Sequence, residues 1–513
     1  MSQTHASNPE RQTHPRAWLI LALILSAEIM DLLDSTIVNV AAPSIAHDLH
    51  SSTSSLQWIT GGYSLSFAMF LIAGARLGDR FGRRTLFLVG TWGFVACSTL
   101  CAVAPDTSTL IVGRLLQGGA AALLIPQGLG LLQAVFSPSD QGKAFSIFGP
   151  AVGLAAVVGP VLGGVLVDAD LFGTGWRLVF LINLPVGVLA AAGGTRILPQ
   201  SRLESAARLD IVGTLLVGIA MALVIYPLIQ GREAGWPAWT YAMIGGGFVT
   251  VGVFALWTQL RLRGGRDPLV QPTIFGHRGF SAGVLVTLVF FAGSFGVGLA
   301  LTLFLQLGRG FSPIHAGLTQ APFALGASVG AIVGAALLAP KLGRNTLQLG
   351  NVLQGAGLLS TLAVLAHTRT HITSWELAAP LLLWGLGLGL VIAPLFDFVL
   401  AALNEHEVGS GSGVLNALQQ LGTATGVAII GTVFFATLSS HTDAAGGYVA
   451  GFERSLQVGV GIVVLVALLT FALPGKAREM GEGTHPADEM ASTPPRPRLP
   501  GSESSSGSAS VSS

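Results

Sequence analysis

Apolar stretches of about 17–25 residues, the length a helix needs to cross a hydrocarbon core of about 30 Å, recur along almost the whole of this 513-residue chain. They fall at 17–42, 55–75, 85–104, 109–134, 143–167, 178–197, 209–230, 238–258, 279–305, 315–339, 346–366, 376–402, 410–437 and 455–473, fourteen in all. A backbone group left unpaired in lipid costs several kcal/mol, so each stretch is predicted to be an α-helix. The runs are continuous and do not alternate over ten-residue segments, which excludes a membrane barrel. Composition agrees: 51% of the residues are hydrophobic and 10% charged, where a soluble protein carries about 25% charged residues. Such a chain cannot clothe itself in polar surface, so lipid must be its main solvent.

The basic residues test the count independently. Of 26, twenty fall in alternate connecting segments; only Arg177, Arg232, Arg309, Arg369 and Arg454 fall in the others, and Arg114 lies inside a span. Because positive residues stay inside, this bias predicts an even number of helices in the cell membrane with both termini cytoplasmic. The polar start and the long first apolar run predict an uncleaved first helix, not a signal peptide. The charged loops 199–208 and 260–278 bracket helices 7 and 8. The expected organisation is therefore a cytoplasmic tail over 1–16, a six-helix bundle over 17–198, two inserted helices with cytoplasmic linkers over 199–270, a second six-helix bundle over 271–474, and a tail over 475–513. That last segment, rich in Ser, Pro and Gly, is expected to be disordered.

Several function classes drop out. With a net charge of +1, no basic field invites nucleic acid. Cys97 and Cys101 share one helix face in an apolar run, which suits neither a disulfide framework nor a metal site. The chain shows no nucleotide-binding loop, metal-ligand spacing or nucleophile arrangement, so neither an enzyme nor a cofactor is expected. An ion gradient is then the expected energy source.

Charges at bilayer depth are expensive, about 2.5–3.5 kcal/mol each on insertion scales. Span 1 nevertheless carries Glu28, Asp31 and Asp34. Three-residue steps turn about 60° on a helical wheel, and Ser35 and Asn39 widen the polar stripe to about 140°. Such a stripe is expected to line a water-filled cavity, with some of the acids protonated at neutral pH; a structural polar seam is the alternative. Arg114 in span 4, followed by Gln117, needs a carboxylate or carbonyl partner, and the span 1 acids are the candidates. Spans 12 and 13 add Asp397 and a polar face of Asn416, Gln419, Gln420 and Thr423, with Glu405 and Glu407 beside them. Amides on a buried helix face either bind substrate or glue helices together.

These residues resemble motifs of the major facilitator superfamily, in its fourteen-helix drug:proton antiporter branch. GARLGDRFGRRTL (74–86) is similar to the superfamily's loop motif through Leu77, Asp79, Arg80, Gly82, Arg83 and Arg84, with Ala75 where a glycine is usual. LDSTIVNVAAPSI (33–45) looks like the span 1 motif through Asp34, Thr36, Asn39 and Pro43; RLLQGGAAA (114–122) like that of span 4. GPVLGG (159–164), with Gly159, Pro160, Gly163 and Gly164, resembles the span 5 antiporter motif, and WRLVFLINLPVG (176–187) the span 6 entry. NALQQLGTATGVA (416–428) is a looser match.

The resemblance implies an all-α major facilitator fold, two six-helix bundles plus two inserted helices, and a monomer that exchanges protons for a small amphiphilic substrate across the bilayer. Asp34, tuned by Arg114, would carry the proton; Glu28 and Asp31, which lie outside the matched motifs, are expected to share that role as members of the same polar stripe. Asn39, Gln117, Asn416 and Gln420 would face the substrate cavity, and Asp397, outside the matched motifs, is expected there from its position in span 12. Asp79, Arg80, Arg83 and Arg84 would form a cytoplasmic latch, and the antiporter motif would bend span 5 to seal the outward route. Export of drugs and antibiotics is the first reading, and export of one endogenous metabolite or self-made antibiotic the alternative. A membrane sensor is disfavoured because no soluble signalling domain is evident.

Overall fold

The computed structural model describes residues 13–200, 210–266, 268–368, 372–404, 407–441 and 443–474. The expected disordered tail over 475–513, most of the expected N-terminal tail, most of the 199–208 loop and Glu405 lie outside the described residues.

Fourteen long helices occur among the described residues. They are α1 (Ala17–Asp48), α2 (Thr53–Phe81), α3 (Arg83–Ala102), α4 (Thr107–Val135), α5 (Pro138–Ala169), α6 (Gly175–Ile197), α7 (Ile211–Gln230), α8 (Ala238–Arg263), α9 (Arg278–Gly308), α10 (Pro313–Leu342), α11 (Asn345–Thr368), α12 (Ser374–Leu400), α13 (Val408–Ser439) and α14 (Ala444–Thr470). Twelve are long and apolar enough to cross a membrane by length and composition alone. The other two, α1 and α5, are each 32 residues long. The chain is a multi-pass membrane protein of all-helical class.

Local chemistry sets the ends. Asp106 opens α4 by accepting the Thr109 N–H at 2.8 Å, an N-cap that satisfies a donor the helix itself cannot. Gly82 joins α2 to α3 with φ of 98°, a left-handed conformation that an L side chain resists. Helices extend past the apolar stretches because nothing forbids helix in the polar headgroup region. α9 and α10 each contain a π-helical turn, over Phe304–Gly308 and Gly334–Leu338.

Two hydrophobic clusters fill the first bundle, around Tyr63, Phe67, Phe87 and Phe94 and around Ile37, Ile59, Trp176 and Phe180, and two fill the second, around Trp384, Phe434 and Phe452 and around Phe280, Phe291 and Phe398. The bundles meet along two seams, α5 against α10 and α2 against α13. A separate cluster joins Leu65 and Ala68 of α2, Met221 and Ile225 of α7, and Ala424 and Ala428 of α13. The first inserted helix thus wedges along the second seam. α8 lies outside it, with Phe248, Val249 and Leu256 exposed, a surface only lipid can cover.

Candidate functional site

The polar stripe of α1 divides in two. On 100° steps Glu28, Asp31, Ser35 and Asn39 lie within about 80°, with Asp34 about 60° beyond Asp31. The first four line a cavity of about 930 Å³ between the bundles. Asp34, at the edge of the stripe, turns the other way into the interior of the first bundle, where it is 0% exposed.

There it meets Arg114 of α4, itself 1% exposed. Arg114 Nη1 donates to Asp34 Oδ2 at 2.5 Å and to Gln117 Oε1 at 2.7 Å, and its Nε donates to the Ile59 carbonyl at 3.2 Å. Asp34 Oδ1 accepts from Gln117 Nε2 at 2.9 Å and from Asn183 Nδ2 of α6 at 2.7 Å. Ser98 Oγ of α3 accepts from the same two amides at 2.8 and 3.1 Å. The guanidinium carbon lies 4.5 Å from the Tyr63 ring centroid and 5.8 Å from that of Phe180. Five helices therefore close round one ion pair. A buried pair is tolerable only when hydrogen bonds compensate for its lost hydration; here three donors meet the carboxylate, and three acceptors meet Nε and Nη1 of the guanidinium.

Tyr63 bridges this network to the cavity. Its ring packs against Arg114 while its hydroxyl donates to Asp31 Oδ1. Asn416, Gln419, Gln420 and Thr423 of α13 form the opposite wall, with Phe67 and Phe295 among its aromatic surfaces. Gln117 and Asp397, expected on the cavity wall, are not part of it: Gln117 is fully buried in the ion-pair network, and Asp397 is exposed elsewhere on α12. Sequence reasoning missed Ser98, Tyr63 and Asn183. The signal was a polar group inside an apolar span, and for Tyr63 the rarity of tyrosine, four in the chain.

The cavity opens towards the α2–α3 loop, where Arg76, Asp79 and Arg83 line it. Asp79 pairs with Arg83 at 3.4 Å, and Arg83 Nη1 donates to the Gly130 carbonyl of α4 at 2.6 Å. Arg84 donates to the Thr195 carbonyl of α6, and the Arg80 guanidinium sits 5.4 Å from the neighbouring Phe81 ring. The partners of Asp79, Arg80, Arg83 and Arg84 all belong to the first six helices, so these four residues make no bond across a seam in this conformation.

At the far end the cavity is closed. A Cβ on Gly164 of α5 would lie 2.5 Å from Ile314 Cα, and one on Gly317 of α10 would lie 2.5 Å from the Pro160 carbonyl oxygen; these close approaches require glycine. Gly159 and Gly163 face Thr36 and Ile37 of α1 in the same way. Asp168 at the end of α5 accepts the Ile314 N–H at 2.9 Å, and Gln306 of α9 donates to the Val40 carbonyl of α1 at 2.7 Å. The 159–164 segment is thus part of the seam that seals this end.

Residues 24–427 match the family model of the Major Facilitator Superfamily. The chain is 46% identical over 469 residues to a Streptomyces coelicolor protein named "Probable actinorhodin transporter", covering 87% of this chain and 81% of that one. It is 35% identical over 499 residues to a puromycin resistance protein of Streptomyces alboniger, covering 94% and 96%. A crystal structure of a POT family transporter in complex with 5-aminolevulinic acid shares the fold, with a TM-score of 0.65 and 15% identity over 89% of this chain and 96% of that one.

Proposed function

The chain belongs to the major facilitator superfamily, and from that premise we propose that it is a proton-coupled antiporter exporting amphiphilic drugs or antibiotics across the cytoplasmic membrane by alternating access. The observation that carries the proposal is the cavity between the bundles, which sets the carboxyls of Glu28 and Asp31 against the amides of α13 beside the Arg114–Asp34 pair. The carboxyls supply proton acceptors open to water. The amides and aromatic rings supply adaptable, weakly selective contacts for a hydrophobic ligand. With the arginine-rich face towards the cytoplasm, as the distribution of basic residues supports, the cavity is open inward and both termini are cytoplasmic.

In this state Asp34 is neutralised by Arg114, and Asp31 is the acid nearest it that water reaches. A proton arriving on Asp31 or Glu28 removes an anion from the wall, weakens the hold on a cationic substrate and alters the acceptor that Tyr63 serves next to Arg114. Substrate and proton then compete for one cavity, the thermodynamic requirement of exchange. Each pH unit contributes about 1.36 kcal/mol, and each 100 mV about 2.3 kcal/mol per charge moved, enough together to concentrate a neutral compound more than tenfold outside.

The test is uptake of ethidium into inverted membrane vesicles under an imposed pH gradient. Uptake that stops with a protonophore, and that Asp31→Asn and Asp34→Asn each abolish, supports the proposal; uptake indifferent to the gradient overturns proton coupling. A second reading, export of one self-made antibiotic, draws on relatives named for single compounds, actinorhodin and puromycin. A panel of chemically unrelated competitors separates the two, since broad displacement favours many substrates.

A further inference from the structure

The inserted helices do more than lengthen the chain. Asp210, the residue that caps α7, is 4% exposed, and its carboxylate gathers groups distant in sequence. Oδ1 accepts the Gly213 N–H at 2.9 Å and the indole N–H of Trp257 in α8 at 2.9 Å, with Arg261 Nη1 at 3.4 Å; Oδ2 accepts the main-chain N–H of Leu269 at 3.1 Å. The Gly213 bond closes the start of α7, Trp257 and Arg261 fasten α7 to α8, and the Leu269 bond holds the segment beyond α8.

That segment crosses the open end of the α2–α13 seam. The Pro268 carbonyl accepts from Arg76 Nη2 of α2 at 3.5 Å, and the Gln271 N–H donates to Ser410 Oγ of α13 at 3.4 Å. Leu269 and Gln271 both line the cavity, in company with Arg76 and Ser410. The stretch 268–271 is therefore a sill across the cavity mouth, and its main chain is seated by a carboxylate belonging to the inserted pair.

We propose that Asp210 is a positioning residue for substrate selection: by seating the Leu269–Gln271 sill it sets the width of the cavity mouth, so the inserted helix pair governs how large a substrate enters. The proposal rests on the export reading. The chemistry is specific to a carboxylate. In Asp210→Asn one oxygen becomes an NH2 group, which either faces the Leu269 N–H donor to donor or gives up the Gly213 and Trp257 bonds, and the charge opposite Arg261 is lost.

Two measurements test it, each made on Asp210→Asn and on Leu269→Ala, which alters the sill but leaves the carboxylate and its other partners in place. The first is export of ethidium and of the bulkier dye rhodamine 6G. Both variants are expected to raise the rhodamine-to-ethidium ratio of kcat/KM by about threefold or more, mainly through KM. The second needs no transport: maleimide labelling of Gln271→Cys, in a chain with Cys97 and Cys101 replaced by alanine, is expected to speed up by about threefold when Asp210→Asn is added. Proportional loss for both dyes with unchanged labelling overturns the proposal. Should Asp210→Asn fail to fold, an unchanged dye ratio in Leu269→Ala overturns it alone. If the wild-type chain exports neither dye while labelling still responds, the reading of export of many drugs has failed and the Asp210 anchor has not.

Discussion

A guanidinium cannot shed its charge within a hydrocarbon interior, so everything near Arg114 is arranged to answer it. Asp34 supplies the charge, Gln117 and the Ile59 carbonyl take the remaining hydrogen bonds, and Tyr63 and Phe180 supply aromatic faces. Removing one partner strands the other. Arg114→Ala is expected to destabilise the chain by about 3–5 kcal/mol, read as a lowered melting temperature in detergent. Arg114→Lys should recover little, because a single ammonium cannot meet acceptors on α1, α2 and α4 together. The double variant Asp34→Asn with Arg114→Gln should lose less than the sum of the singles; full additivity would mean that the two side chains do not act as a pair. Much of this was legible: a charge in an apolar span announces itself, so Asp34, Arg114 and Gln117 stood out. Ser98 and Asn183 did not, because one small polar residue in an apolar helix reads as helix glue. Nor did the direction of Asp34, since a wheel shows which residues share a stripe and not where, across about 140°, the cavity ends and the packed interior begins.

At the scale of the elements, contact between α5 and α10 depends on the absence of side chains. Gly317→Leu would drive a side chain into the Pro160 carbonyl, and the only relief is to part the two helices. The expected outcome is faster labelling of a cysteine placed at Ile314 and export slowed by about tenfold or more; normal export would show that this seam need not close tightly. The inserted pair is held at its other end by Glu233, which accepts from the Thr53 hydroxyl, the Ser54 hydroxyl and the Ser54 N–H within 2.7–2.9 Å. Burial alone would raise this carboxyl, but those bonds outweigh it and hold it below the usual carboxylate value. A depressed carboxyl stabilises the fold above its unfolded pKa, about 4.3 for glutamate, and that contribution disappears as pH falls through the lower folded value. Glu233→Gln should therefore cost about 0.5 kcal/mol of thermal stability at pH 7, the carboxyl being exposed to solvent, and progressively less on acidification; a difference independent of pH would place its origin elsewhere. All fourteen helices were legible as apolar runs, because lipid imposes one solution on the backbone. The π-helical turns of α9 and α10 were not, since π and α turns bury the same side chains.

For the whole molecule the two ends of the cavity are unlike, and that difference bears on how exchange proceeds. The closed end is joined across the seams by Asp168 on the Ile314 N–H and by Gln306 on the Val40 carbonyl. At the open end, Asp79 has only Arg83 for a partner among the described residues, while the sill adds hydrogen bonds to both α2 and α13. On the proposed mechanism the bundles rock, so bonds at the closed end must break as new ones form at the open end, and Asp79, partly exposed beside Arg83, is placed to make one. The two carboxylates should then act in opposition. Asp168→Ala removes a bond of the present state and should shift the population towards the outward-open form. Asp79→Ala removes a bond of the other state, and should lower the maximum rate of export by about tenfold while substrate affinity changes by less than about twofold. Spin labels across each end can report the populations directly. Combining the substitutions should restore part of the balance, because each changes the same equilibrium with opposite sign. If Asp79→Ala instead weakens substrate binding and leaves turnover intact, the arginine-rich loop is a wall of the binding site and not a latch.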